Sequence, residues 1–208
     1  MQIILVSGSP RRKQLLSYLV DNFEIIPAEI DERKFEKLAR EPEELVVGLA
    51  RRKAKNSAKQ NSSQKGNSLI IAADTAVVLE KGNRREVIGK PKDEKEARKM
   101  LKKLRGKTHK VFTGLCFLQR RIPFQRRVGW VLTDYVVSEV TFKNFSDKTM
   151  EKYIKSGKPL DKAGAYGIQE IGNKFVEKIE GSYTNVMGLP VERLGRMLMK
   201  IGIKVKDG

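Results

Sequence analysis

Two arginines at positions 11 and 12 close the segment SGSPRR, which joins an apolar run at residues 3–6 to a helical pattern carried by Leu15, Leu16, Leu19 and Val20. Cations in the first turn of a helix oppose its dipole, at roughly 0.3–1 kcal/mol each, and a bound anion reverses that sign. Ser9 suits the N-cap, and Pro10 suits the first helical position, where a missing N–H leaves no bond unmade. Phosphate is the chemistry these residue types suggest. The plainer alternative is a capped strand-turn-helix with two solvated arginines.

A third cation points inward. Helical spacing runs from about Glu41-Pro42 to Lys59 through Leu45, Val46, Leu49, Ala50, Ala54 and Ser57. Counting ~100° per residue from Leu45, Leu49 falls near 40°, Lys53 near 80° and Ala50 near 140°, so Lys53 stands inside the apolar stripe. Arg51, Arg52, Lys55 and Lys59 project to the other side. An inward ammonium requires a partner because its desolvation is costly; a structural salt bridge or a snorkelling stem accounts for it equally well. The acid to set beside it is Asp74. It lies in SLIIAADTAVVLE, a buried strand that AADT is expected to interrupt, and a buried strand rarely tolerates an unpaired carboxylate. A turn or bulge aspartate bonding nearby N–H groups is the competing explanation.

Several familiar schemes drop out. In GNRREVIGK six residues rather than four separate Gly82 from Gly89, and Pro91 stands where a P-loop has Ser or Thr. The chain has no GxGxxG after a strand, no histidine-paired nucleophile and no zinc spacing. Arg11, Arg12, Lys53 and Lys90 remain as a cation clamp for phosphoryl transfer, with Asp74 to orient a water or hold a divalent cation.

The elements that must position these groups read as a single α/β domain over 1–208, with no internal repeat and no dividing linker. Lys81-Gly82-Asn83 makes a turn that returns through residues 85–88 to GKP at 89–91. Asp93 caps a helix with Glu96 at capping-box spacing; Ala97, Met100, Leu101 and Leu104 share one face, and Gly106 ends it. Strands follow at about 110–119 and 129–142, joined by the basic turn RRIPFQRR. Ser146 caps a helix to Lys155, and Gly157 and Pro159 terminate it. The stretch DKAGAYGIQEIG, 161–172, has neither helical nor alternating regularity and reads as a binding loop. A short strand near 174–179 and a last helix after Pro190 complete the order. Cys116 sits in a strand-like run as a core residue, and the sole histidine, His109, is assigned no role.

A net charge of +18 implies anionic partners, nucleic acid or phosphorylated small molecules, without choosing between them. No apolar stretch approaches about 18 residues, so a cytoplasmic location without membrane contact is the default expectation.

SGSPRRKQLL, LARRKA, AADT, GKP, KAGAYGIQ and GSYTNVMGLP occur in an order, and over nearly the whole chain, that resembles the Maf family of nucleotide pyrophosphatases. The resemblance implies an α/β fold similar to the inosine triphosphate pyrophosphatases: an elongated mixed sheet, flanking helices and a central cleft with two lobes around it. It implies hydrolysis of a nucleoside triphosphate between its α and β phosphates, a divalent metal, magnesium or manganese, and a homodimer. Asp74 matches the family's catalytic proton acceptor; Arg11, Thr75 and Gln169 match its specificity-linked positions. Ser7, Arg12, Lys53 and Lys90 fall among the substrate-binding residues, and Glu32, in the Asp31-Glu32 pair, resembles a second metal carboxylate, unless it lies in a surface turn. KAGAYGIQ resembles the subgroup acting on dTTP and UTP, where a glutamine amide reads a pyrimidine edge through one donor and one acceptor. Two alternatives stand beside this: a 7-methyl-GTP pyrophosphatase, and a basic nucleic-acid-binding or regulatory protein, given the family's association with septum formation. The basic RRIPFQRR turn and the helix from Asp93 are more cationic than the family pattern, which puts nonspecific contact with RNA or DNA in play and leaves the core chemistry untouched.

Overall fold

Apolar and alternating runs become the strands of one mixed sheet. The computed structural model describes residues 1–27, 30, 39, 41–60, 67–82, 84–120 and 129–206. Its strands are β1 (Gln2–Val6), β2 (Glu24–Ile26), β3 (Ser68–Lys81), β4 (Arg84–Ile88), β5 (Thr108–Arg120), β6 (Val131–Phe142) and β7 (Val176–Glu180). They form a seven-stranded sheet in the order β2-β1-β3-β5-β6-β7, with β4 paired to β3. β1 runs parallel to both neighbours, Val6 lying opposite Ile26 and Ala72, whereas β3–β4 and β6–β7 are antiparallel. The expected α/β architecture, a mixed sheet flanked by helices, is therefore present.

The helices are α1 (Pro10–Ser17), α2 (Pro42–Gln60), α3 (Glu94–Leu104), α4 (Asp147–Ile154), α5 (Ile168–Phe175), α6 (Tyr183–Met187) and α7 (Val191–Lys200). Their starts follow local chemistry. Asp93 accepts from the Glu96 N–H at 2.7 Å while the Glu96 carboxylate accepts from the Lys92 N–H at 2.7 Å, so orphan donors at the start of α3 are satisfied from both sides. Ser146 accepts from Thr149 N–H at 3.2 Å and starts α4. Ser9 occupies the N-cap position of α1 but makes no side-chain cap bond; its own N–H donates to Ser7 Oγ at 3.0 Å instead.

The chain divides into two compact units, and β3, β5 and β6 each contribute to both. The first comprises Met1–Asp74, Thr113–Val136 and Gly188–Gly208. In it Ala50 and Ala54 of α2 pack on Ile4, Val6, Ile70, Ala72 and Cys116, small side chains that let a helix lie close on strands. Gly114 is part of that fit: a Cβ there would lie 2.4 Å from the Val46 carbonyl carbon, so only glycine admits α2 at this distance. Burial pushes the Cys116 thiol up to about 11, in keeping with an unreactive core residue. The second unit comprises Thr75–Phe112 and Val137–Met187. Its core joins Val77, Leu79, Val111, Val140 and Phe142 of the sheet to Leu101, Met150, Ile154, Ile168 and Phe175 of the helices.

Two expectations require correction. β3 is continuous across AADT rather than interrupted, because the carboxylate there has a side-chain partner and no turn is required to satisfy it. The stretch 161–172 is not an irregular loop. It folds into two short 3-10 turns, Lys158–Asp161 and Ala163–Ala165, followed by α5. Ile168 and Ile171 are buried along the first turn of α5, and helical geometry breaks at Gly172 (φ 40°, ψ -142°) before the buried Phe175, which hides a continuous helical pattern in the sequence. Helix α6 within GSYTNVMG was not anticipated either.

Candidate active site

Strand alternation decides where Asp74 points. Ile70 and Ala72 face α2, and the period of two carries Asp74 to the same side, while Thr75 takes the opposite face with Val77 and Leu79. On α2 the apolar arc delivers Lys53 to meet it. Lys53 Nζ lies 2.5 Å from Asp74 Oδ1, with side-chain exposures of 7% and 11%. Both expectations, an inward ammonium needing a partner and a buried carboxylate needing one, are answered by the same pair. Such a pair is high in stakes rather than in net stability, since removing either member leaves the other charged and desolvated, at roughly 3–5 kcal/mol.

The turn that carries the arginines begins where β1 stops. Val6 is level with Ala72, so Asp74 stands just beyond the carboxyl end of β1, where Ser7 and Gly8 leave the sheet. Ser7 is buried, its N–H donating to Ile26 O at 2.9 Å and its Oγ accepting from Ser9 N–H. Arg12 reaches back from α1: Nε donates to Gly188 O at 2.8 Å and a terminal nitrogen donates to Ala73 O at 2.9 Å, one residue before Asp74. Arg12 thus ties α1 to β3 and to the start of the GLP turn. Arg11 is half-buried on the same first turn.

In the second unit the GKP and KAGAYGIQ motifs are brought together through backbone, Gly164 N–H donating to Gly89 O at 3.0 Å. Gly164 and Ala165 both adopt positive φ, 69° and 60°, a turn that glycine permits and that alanine adopts rarely. Around it stands a frame that sequence reasoning missed. Lys162, 6% exposed, donates to Lys158 O at 2.5 Å and Asp161 Oδ1 at 2.6 Å, and lies 3.3 Å from Glu170 Oε1. Tyr153 OH accepts from Gly167 N–H and donates to Glu170 Oε2, each at 3.1 Å. His109 Nε2 is 2.8 Å from Tyr166 OH, and burial pushes that imidazole down to about 4. Lys90 and Gln169 are exposed. His109 alternates with the buried Val111 along β5, and that spacing is the sequence signal that could have found it.

Glu32 and residues 121–127 of RRIPFQRR lie outside the described residues, while the first arginine of that motif, Arg120, is the last residue of β5. Among the described residues no three His, Cys, Asp or Glu side chains converge; Asp74 is a buried carboxylate just beyond the end of β1. A hard divalent ion that keeps several waters and takes its other ligands from substrate phosphates fits such a donor set; an all-protein cage does not. No helix among the described residues is long and apolar enough to cross a membrane.

The chain is similar to proteins described as dTTP/UTP pyrophosphatase in several organisms. The relative from Carboxydothermus hydrogenoformans is 45% identical, covering 97% of this chain and 100% of its own. That from Clostridioides difficile is 44% identical over 96% and 95%, and that from Caldicellulosiruptor saccharolyticus 40% over 100% and 98%. A crystal structure of a nucleoside-triphosphatase / dITP/XTP pyrophosphatase from Mycobacterium abscessus shares 14% identity over 97% of both chains with a TM-score of 0.43, a likeness remote enough that the fold is read from the sheet itself. The family model described as Maf-like protein matches residues 2–201. A match of that extent, together with relatives at 40–45% identity along their whole lengths, establishes that the chain belongs to the Maf family.

Proposed function

We propose that this chain hydrolyses dTTP and UTP to the nucleoside monophosphate and pyrophosphate. The observation that carries the chemistry is the buried Lys53–Asp74 pair beyond the carboxyl end of β1, beside a helix whose first turn holds Arg11 and Arg12. The substrate class rests on full-length similarity to proteins described as dTTP/UTP pyrophosphatase.

In this proposal a water oxygen attacks the α phosphorus, the bond from that phosphorus to the α–β bridging oxygen breaks, and Asp74 takes the water's proton. Lys53 holds the carboxylate on its bearing through Oδ1. Arg11 and Lys90 stabilise charge on the departing pyrophosphate, with Ser7 and Arg12 shaping the turn that receives phosphate. Thr75 and Gln169 set base choice, the glutamine amide offering a donor and an acceptor to a pyrimidine edge. A divalent cation, when bound, neutralises triphosphate charge; Asp74, and in the family resemblance Glu32, would hold it. The homodimer comes with the same resemblance, and the cytoplasmic setting remains the expectation drawn from the lack of a long apolar stretch.

The test is incubation with a panel of pyrimidine, purine and 7-methylated purine triphosphates plus magnesium or manganese, with monophosphate and pyrophosphate detected separately. Pyrophosphate released preferentially from dTTP and UTP is the expected outcome. Release of inorganic phosphate, or a preference for methylated purines, sinks the reading.

A further inference from the structure

Two helices of the second unit carry lysines at one repeated spacing. On α3 these are Lys95, Lys99 and Lys102; on α4 and its C-cap they are Lys148, Lys152 and Lys155. Positions i, i+4 and i+7 share a helix face, and here that face is opposite the buried Ala97, Leu101 and Leu104 of α3 and the buried Met150, Tyr153 and Ile154 of α4. All six lysines are exposed.

The two helices lie side by side and antiparallel, as their cross-links require: Arg98 grips Glu151 through two bonds of 2.5 and 2.7 Å, and Arg105 bonds Asp147. These arginines occupy the carboxylates lying between the lysine stripes and hold both acids below the usual carboxylate range. Glu96 is engaged at the Lys92 N–H, and Glu94 stands toward Arg98. Like charges at i, i+4 disfavour a helix; the nearby acids are bonded to the arginines, and Lys102 and Lys155 act on them through space.

We propose that the paired stripes are a docking face for the phosphate backbone of a nucleic-acid duplex. Charge complementarity selects a polyanion, and two further features select this one. None of the exposed large apolar side chains among the described residues lies on α3 or α4, whereas a helix that seats on a membrane inserts such residues. The face also lacks an exposed aromatic on which an unpaired base could stack. Lysine ammonium groups act as point charges, so contact is to phosphates and independent of sequence. Each stripe rises roughly 10 Å along its helix, enough to meet consecutive phosphates of one strand. The face carries none of the residues assigned to hydrolysis.

Fluorescence anisotropy with a labelled DNA duplex of about 20 base pairs tests this, at about 50 and about 200 mM salt. If the stripes meet about four phosphates, affinity falls by about 10²-fold across that range. Replacing all six residues together (Lys95→Gln, Lys99→Gln, Lys102→Gln, Lys148→Gln, Lys152→Gln and Lys155→Gln) should weaken binding at least about tenfold at low salt and flatten the salt dependence. Triphosphate hydrolysis stays at its wild-type value and the thermal melt does not fall, which reports that the fold is intact. A charge-matched control removes Arg51, Lys55, Lys59, Arg196, Lys200 and Lys204 in the same way and should weaken binding less than about twofold. Equal losses in the two variants would mean that overall charge, not this face, attracts DNA, and would overturn the proposal. So would absence of duplex binding, or binding to phosphatidylglycerol vesicles in its place.

Discussion

Lys53 and Lys162 are equally buried, each 6% exposed, yet they are satisfied in different ways. Lys53 meets a carboxylate that is itself buried, 11% exposed, on a neighbouring strand. Lys162 meets a backbone carbonyl and two acids, Asp161 and Glu170, whose side chains are 66% and 23% exposed. The first arrangement holds a desolvated anion where the chain leaves the sheet. The second gathers flanking turns around one ammonium and leaves its acids in reach of water. In the function proposed for this chain the lysine with the buried partner serves the chemistry, and the lysine whose partners are wet and partly backbone serves as local scaffolding.

Substitutions can break that contrast. The largest effect is expected at the first pair: Asp74→Asn should lower kcat for dTTP by about 10³-fold while a cooperative melt persists, because a general base is lost without loss of volume. Retention of wild-type turnover would remove Asp74 from the mechanism. Lys53→Met should lower kcat by about 10²-fold and also cost about 3–5 kcal/mol in chemical denaturation, since a buried carboxylate then lacks its counterion. A variant that is destabilised yet fully active would reduce the pair to scaffolding and erase the distinction.

Lys162→Met probes the other side. Loss of its bonds should cost about 1–3 kcal/mol and lower the preference for dTTP over purine triphosphates several-fold, with turnover on dTTP reduced less than in Lys53→Met. A loss of turnover equal to that of Lys53→Met would place Lys162 in the chemistry itself.

The smallest effect on turnover concerns the His109–Tyr166 contact in the same frame, where the readout is the pH dependence of stability. Burial holds the folded imidazole near 4, below its unfolded value of about 6.5, so the unfolded chain binds the proton first as pH falls. Stability is thus fully present above about 6.5 and declines toward about 4, by up to about 3 kcal/mol. Urea denaturation between these pH values should show that slope in the parent chain and a shallower one in His109→Gln. Identical slopes would mean that the imidazole ionises without opening the core.

Much of the first unit's site was legible because its signals are local or periodic. An inward lysine on an amphipathic helix and an aspartate in an apolar strand each demand a partner. A serine-glycine-serine-proline turn marks a helix start through the proline it places at the first helical position. The frame around Gln169 was far less so. His109 gives one titratable residue among strand residues, and Tyr153 is separated along the chain from the Gly167 and Glu170 groups it holds, as Lys162 is from Glu170. Their roles come from hydrogen bonds to Tyr166, Glu170 and Gly167 that no spacing rule encodes.

The sequence by itself determined most of the strand-and-helix order, α5 and α6 excepted, the caps at Asp93 and Ser146, the inward face of Lys53 and the family, because periodicity, capping and ordered motifs are properties of neighbouring residues. Only the tertiary structure decided that Lys53 and Asp74 are each other's partner, that Arg12 spends two donors on the Ala73 and Gly188 carbonyls, and that the glycine-rich stretch is turns and a helix. It also decided that two lysine stripes stand together. Each of these depends on which faces pack and on where one parallel strand ends beside a longer neighbour. Desolvation then makes a single pairing strongly preferred over the many that charge alone would allow.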